Sequence, residues 1–124
     1  GCDGVEPDNV DAYANDSGFA LTGDDQLAFN RFIATEAHRR KLSVGLKNDL
    51  GQVRKLAPYF DFAVNEQCFQ YDECEVLSHF VAAGKPVYGI EYEVRPSAFC
   101  PSALEQGFST IYKRLSLRAF RETC

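Results

Sequence analysis

The chain has 124 residues, 45% of them hydrophobic and 25% charged, a composition that predicts a folded globular domain and excludes extended disorder. Its net charge of −5 argues against nucleic acid as a partner, because phosphates demand a basic surface. No apolar run approaches the roughly 18 residues that a membrane-spanning helix needs, so we expect no membrane insertion.

Short apolar runs alternate with amphipathic stretches along the chain, a pattern typical of the α/β fold class. The apolar runs predict strands at residues 2–5, 42–46, 60–64, 87–90 and 108–112. The amphipathic stretches predict helices at residues 24–40, 51–56, 73–83 and 102–106. Residues 114–124 show neither an apolar run nor an amphipathic pattern, and no element is predicted there.

The first predicted helix has a defined start. Thr22 and Asp25 form a capping-box pattern, a hydroxyl followed three residues later by a carboxylate. Four apolar residues share one face of this helix: Phe29, Phe32, Ile33 and Ala37. His38 lies near its end, where the helix dipole favours a cation, so we interpret this histidine as a capping or surface residue and not as a catalytic one.

Polar residues follow each predicted strand, and the carboxyl ends of parallel strands meet at one edge of a sheet, where α/β enzymes place their active sites. The cluster after the first strand, residues 6–9, is the densest. The other polar residues at strand ends are Lys47, Asn48, Asp49, Asn65, Glu66, Glu91, Tyr92 and Lys113. No His, Cys or Asp spacing resembles a metal site, so we expect neither a metal nor another cofactor.

Five cysteines in a chain of this length predict an oxidising compartment and one or two disulfides. Cys68 and Cys74 could close the loop after Glu66, or each could pair elsewhere, with Cys100 and Cys124 as the obvious partners. The odd count leaves one thiol over, for which Cys2 is the candidate. Residues 1–5 have the character of a strand interior, so we expect an N-terminal portion before them.

Three segments resemble the glycoside hydrolase family 114 endo-α-1,4-polygalactosaminidases: residues 1–11 (GCDGVEPDNVD), 45–49 (GLKND) and 64–68 (VNEQC). The similarity extends through residues 68–74 and 107–113. The resemblance implies a (β/α)8 TIM barrel, of which this chain would hold strands four to eight as one partial domain, residues 1–124. Strands one to three, and a signal peptide for secretion, would lie in the missing N-terminal part.

The resemblance also implies the catalytic pair. Asp8 and Glu66 match the family's two carboxylates, and they imply hydrolysis with retention, Asp8 as nucleophile and Glu66 as general acid/base. Such a mechanism needs two carboxyl groups about 5 Å apart. A charged Lys47 near Asp8 would keep that carboxylate ionised.

The expected substrate is a galactosamine-containing polysaccharide, whose ammonium groups a carboxylate-rich mouth attracts. We predict the substrate-binding residues to be Glu6, Asn9, Lys47, Asn48, Asp49, Asn65, Glu91, Tyr92 and Lys113. Two alternatives stay open. The protein could be an α-galactosidase acting on neutral α-galactosides, or the chain could be an inert sugar-binding fragment, because five strands cannot close an eight-stranded barrel.

Overall fold

A computed structural model describes residues 1–124 and shows one six-stranded sheet in which spatial order follows sequence order. Five strands are parallel: β1 (Gly4–Val5), β2 (Ser43–Lys47), β3 (Phe62–Glu66), β4 (Val87–Glu91) and β5 (Ser109–Tyr112). The last strand, β6 (Glu122–Thr123), pairs antiparallel with β5. The predicted α/β fold class is confirmed, and parallel neighbours joined by helical crossovers match a fragment of a TIM barrel.

Helical segments connect each pair of parallel strands. The α-helices are α1 (Gly23–Arg39), α2 (Val53–Leu56), α3 (Ser78–Ala82) and α4 (Pro96–Glu105). Single 3-10 turns at Leu50–Gln52 and Cys74–Leu77 precede α2 and α3, and a third lies at Ala12–Ala14. None of the helices is both long and apolar enough to cross a membrane.

Helix α1 begins as predicted but buries a different face. The Thr22 hydroxyl accepts a hydrogen bond from the Asp25 N–H, and the Asp25 carboxylate accepts one from the Thr22 N–H. Phe29 and Phe32 are 53% and 61% exposed, whereas Ala37 is buried. The buried stripe runs through Gln26, Leu27, Asn30, Ala34 and Ala37, and it contains two polar residues that an apolar pattern overlooks.

Helix α4 is longer than the predicted helix at residues 102–106. It begins at Pro96, whose missing N–H costs nothing in the first turn, and it continues through Pro101. The prediction started the helix after Pro101 because proline usually interrupts one.

The core lies between the helices and one face of the sheet. Side chains alternate across a strand, so Val44, Leu46 and Ala63 face the helices, where they are at most 1% exposed. Gly45 faces the opposite side, and the Phe62 ring lies over it so closely that a Cβ at Gly45 would come within 2.2 Å of the ring. The sheet therefore has a helix-covered face and an inner face, and they present alternate residues.

The structure contains two disulfides, and Cys68 and Cys74 pair with each other instead of with Cys100 and Cys124. Cys68 bonds to Cys74, Cys100 bonds to Cys124, and Cys2 is free and exposed. The second bridge anchors the C-terminal tail, for which no element was predicted, so that it folds back and supplies β6.

Candidate active site

The predicted pair of carboxylates meets at the carboxyl edge of the sheet. Asp8 follows β1, Glu66 ends β3, and Lys47 ends the intervening strand β2. The Lys47 Nζ lies 3.1 Å from Asp8 Oδ1 and 3.2 Å from Glu66 Oε2. These two oxygens therefore lie at most about 6.3 Å apart, the sum of the two distances. The strand between the two carboxylates thus contributes the cation that bridges them.

Glu6 makes this a cluster of one lysine and three carboxylates. Its Oε1 lies 3.9 Å from Lys47 Nζ. Burial raises the pKa of Glu6, against the opposing effect of Lys47. The Lys47 side chain is only 11% exposed, which increases the strength of each ion pair because little water screens it.

Hydrogen bonds keep the Asp8–Lys47 pair charged. The Asn9 N–H donates to Asp8 Oδ1 over 2.8 Å, and this bond together with the one from Lys47 lowers the pKa of Asp8. Burial opposes the charged form of Lys47, but its hydrogen bonds to Asp8 and Glu66 outweigh burial and raise its pKa. Asn9 thus contributes its backbone, held at a φ of 56°.

Tyr92 holds the other oxygen of Glu66. Its hydroxyl donates a hydrogen bond to Glu66 Oε1, and the tyrosine is 9% exposed. Burial and the neighbouring carboxylate raise the pKa of Tyr92, so the hydroxyl keeps its proton and stays a donor. With Lys47 on Oε2 and Tyr92 on Oε1, the Glu66 carboxyl group is held in one orientation.

Asn48 and Asn65 support the Glu66 backbone. Asn48 Oδ1 accepts hydrogen bonds from the Glu66 N–H, at 2.9 Å, and from Asn65 Nδ2, at 3.3 Å. Asn65 Oδ1 accepts the Cys68 N–H at 3.1 Å, and Asn65 is 2% exposed. Asn65 faces the side of β3 opposite to Glu66 and supports the loop that follows, and it also lines the cavity that Glu66 borders.

Glu91 is also buried on the helix-covered face. It is 1% exposed, and its Oε1 accepts the Phe69 N–H at 2.9 Å. Burial raises its pKa against the effect of backbone hydrogen bonds from Phe69 and Gln70. Phe69 lies in the disulfide-closed loop 68–74 directly after Glu66. Glu91 therefore supports the loop that follows Glu66, and its predicted contact with substrate stays a prediction.

Asp49 and Lys113 lie apart from the lysine cluster. Asp49 is 3% exposed, its Oδ2 accepts a hydrogen bond from Asn30 Nδ2 at 3.0 Å, and burial raises its pKa to about 7. Lys113 Nζ donates to the Arg118 carbonyl at 2.6 Å, and both residues line a 420 Å³ cavity that also reaches Tyr92.

The sequence reasoning missed Asn30. This residue in α1 is fully buried, and it donates to the Val10 carbonyl as well as to Asp49, while Gln26 donates to its Oδ1. It ties the loop after β1 to the loop after β2. A detectable signal existed, since Asn30 occupies a helical stripe between Leu27 and Ala34, where a polar residue needs a partner.

The sequence model of glycoside-hydrolase family GH114 matches residues 1–124. No curated protein matches the chain significantly. Among solved structures, the crystal structure of Aspergillus fumigatus Ega3 in complex with galactosamine is 42% identical and superposes with a TM-score of 0.92. The match covers 100% of this chain and 55% of the Ega3 chain, so the chain spans about half the length of that relative.

Proposed function

The chain belongs to glycoside-hydrolase family GH114, and from this we propose that its protein is an endo-α-1,4-polygalactosaminidase that cleaves α-1,4-linked galactosamine polymers with retention. The observation that carries the proposal is the pair Asp8 and Glu66, held by one lysine at the carboxyl edge of a parallel sheet. Family membership supports glycosidase chemistry, and the geometry of the pair supports the type of mechanism.

The separation of the carboxylates favours retention. Retaining glycosidases hold their two carboxyl groups about 5–5.5 Å apart, and inverting enzymes leave roughly 6.5–9.5 Å for a water molecule. The two oxygens that contact Lys47, Asp8 Oδ1 and Glu66 Oε2, lie at most about 6.3 Å apart, and this proximity supports the shorter, retaining separation. Direct attack by one carboxylate on the sugar therefore fits this site better than attack by water across it.

The hydrogen bonds favour Asp8 as the nucleophile. Its lowered pKa keeps it ionised, so it can attack the anomeric carbon while Glu66 gives its proton to the departing glycosidic oxygen. The product of this step is a glycosyl ester on Asp8. Glu66, now ionised, then takes a proton from water as the water attacks the anomeric carbon and releases Asp8.

The substrate proposal rests on charge. Glu6, Asp8 and Glu66 surround a single buried ammonium group, so the cluster carries excess negative charge near the mouth. Such a field favours amino sugars over neutral ones. The similar Ega3 structure contains galactosamine.

We propose that residues 1–124 form part of one TIM-barrel domain, corresponding to strands four to eight. The two disulfides support export to an oxidising, extracellular compartment.

The test compares two substrates with the full-length protein. We expect hydrolysis of partly deacetylated galactosaminogalactan and little turnover of a neutral α-galactoside, with the first NMR-detected product in the α configuration. Preferred turnover of the neutral sugar would support an α-galactosidase instead. Sugar binding without turnover would contradict catalysis and support a binding protein.

A further inference from the structure

A positively charged cavity borders the catalytic pair through Tyr92. It has a volume of 420 Å³ and lies between the inner face of the last two parallel strands and the C-terminal tail. Tyr92 belongs to both places, because its hydroxyl donates to Glu66 while the residue also lines this cavity. The lining contains Lys113, Arg118 and Arg121 and no acidic residue. A region of opposite charge therefore lies beside the acidic cluster around Lys47.

No carboxylate neutralises the three cations of this cavity. Residues 113–121 hold four basic residues and no acidic one, although the chain as a whole carries a net charge of −5. None of the four forms a salt bridge, since the ion pairs of the structure involve only His38, Arg39, Arg40 and Lys47. Cations that share a cavity repel one another, so an anionic ligand would relieve this repulsion.

The fold of the tail holds these cations in place. Cys124 is bonded to Cys100, and β6 pairs with β5. The Lys113 Nζ donates to the Arg118 carbonyl at 2.6 Å and so ties the end of β5 to the tail. The basic side chains therefore come from a folded segment and not from a free chain end, which reduces the entropy that a ligand must remove on binding.

The lining matches an oxyanion carried by a sugar. Arginine and lysine donate charged hydrogen bonds to carboxylate and phosphate oxygens, and they repel the ammonium group of an amino sugar. Ile90 and Ile111 add apolar surface and Tyr92 adds an aromatic ring, against which the apolar face of a sugar can pack. The volume lies within the range of roughly 300–1,000 Å³ that is typical of sites for small molecules.

We propose that this cavity is an oxyanion-binding subsite next to Glu66, and that it takes a sugar unit with a carboxylate or a phosphate group. Arg118 and Arg121 bind the oxyanion, and Lys113 contributes from the end of β5. The inference rests on the chain's membership of a glycoside hydrolase family and not on the polymer proposed as substrate. The subsite thus selects a charge opposite to the one that the acidic cluster around Lys47 favours.

The test is isothermal titration calorimetry of the full-length protein, at constant ionic strength, with galacturonic acid, galactose 6-phosphate and galactose as probes. We expect at least one acidic sugar to bind at least about tenfold more tightly than galactose, because it accepts a charged hydrogen bond that the neutral sugar lacks. Tight binding of galacturonic acid alone would assign a carboxylate ligand, and tight binding of galactose 6-phosphate alone would assign a phosphate ligand.

Variants locate the binding. Arg118→Gln and Arg121→Gln should each weaken binding of the acidic sugar about tenfold, from the loss of one charged hydrogen bond. Both positions are exposed, and Arg118→Gln keeps the backbone carbonyl that Lys113 contacts. Arg114→Gln is the matched control, because it removes the same charge from the same tail, while the Arg114 guanidinium lies over the Phe120 ring and outside the cavity lining. It should leave binding nearly unchanged.

Equal affinity for galactose and both acidic sugars would overturn the subsite, as would unchanged binding in both Arg118→Gln and Arg121→Gln. An equal loss in Arg114→Gln would show that only the total charge of the tail matters, and it would overturn the subsite as well. Hydrolysis measured on the same preparation keeps the two proposals apart. Polymer cleavage without binding of an acidic sugar would contradict the subsite alone, and binding without polymer cleavage would contradict the proposed function alone.

Discussion

The two faces of the sheet use the same residue types for different purposes. On the inner face, Glu66 is about one-third exposed and its oxygens are held by Lys47 and Tyr92. On the helix-covered face, Glu91 is almost fully buried and accepts a backbone N–H from the loop that follows Glu66. A carboxyl group at the open edge of the sheet is available for chemistry, whereas one that accepts backbone N–H groups stabilises the loop beside it.

The comparison predicts that changes at the inner face affect the chemical step and spare the fold. Asp8→Asn in the full-length protein should lower kcat on the order of 10⁴-fold, because the proposed nucleophile is lost, with little change in melting temperature. Glu66→Gln should lower kcat about 10²–10⁴-fold. The control is Asp16→Asn, because Asp16 is exposed and its carboxylate accepts a hydrogen bond from Gly18 and not from Lys47.

Substrates with different leaving groups separate the two roles. An aryl oligogalactosaminide needs little protonation of its leaving group, so it should restore the first step of Glu66→Gln but not of Asp8→Asn. If the aryl substrate instead restored the first step of Asp8→Asn and not of Glu66→Gln, the two residues would have exchanged roles. Full activity in either variant would exclude the substituted residue from catalysis.

Lys47 tests the electrostatics of the inner face. Removing its charge in Lys47→Met should raise the pKa of Asp8, which is held below 3.8 in the native site. Because the proposed nucleophile must be ionised, we expect activity to be lost as pH falls through the pKa of Asp8. The acidic limb of kcat/KM should therefore move to higher pH, although the Asn9 N–H continues to lower the pKa of Asp8. An acidic limb in the same place would show that the lysine does not control the nucleophile.

The helix-covered face should respond through positioning. Glu91→Ala leaves the Phe69 N–H without its acceptor, which costs about 1–3 kcal/mol and frees the loop after Glu66. We expect kcat to fall about tenfold, KM to change little, and Glu91→Gln to recover most of the activity, because its amide oxygen can accept the same bond. Equal loss in both variants would mean that the negative charge itself is required.

Asp49→Asn should have the smallest effect on activity. It should have the clearest effect on how stability depends on pH. Burial raises its folded-state pKa from 3.8 to about 7, so its contribution to stability is present below pH 3.8 and is lost as pH rises through 7. Asp49→Asn removes this titration. Thermal unfolding should therefore show the variant gaining on the wild type between pH 4 and pH 8, by up to about 4 kcal/mol. A pH-independent difference would contradict the raised pKa.

Much of the site could be predicted from the order of residues. The segments around Asp8, Lys47 and Glu66 follow three successive strands, and parallel pairing brings such segments to one edge. Asn65 and Glu91 were predicted to bind substrate with equal justification, and the structure adds that both are buried on the helix-covered face, where each accepts a backbone N–H. Neighbouring positions on a strand point in opposite directions, and a sequence shows neighbours without showing which direction is inward.

The sequence by itself determined the parallel β/α order, the start of α1 and the acidic residues at the strand ends, because these depend on apolar periodicity and local hydrogen bonding. Only the tertiary structure decided which face each polar residue occupies. The third strand was predicted at residues 60–64 and lies at Phe62–Glu66, and strand register depends on pairing with neighbours far away in the chain. Packing between α1 and the loops likewise decided the roles of Asn30 and Asp49, since a buried polar group is defined by the partners that reach it.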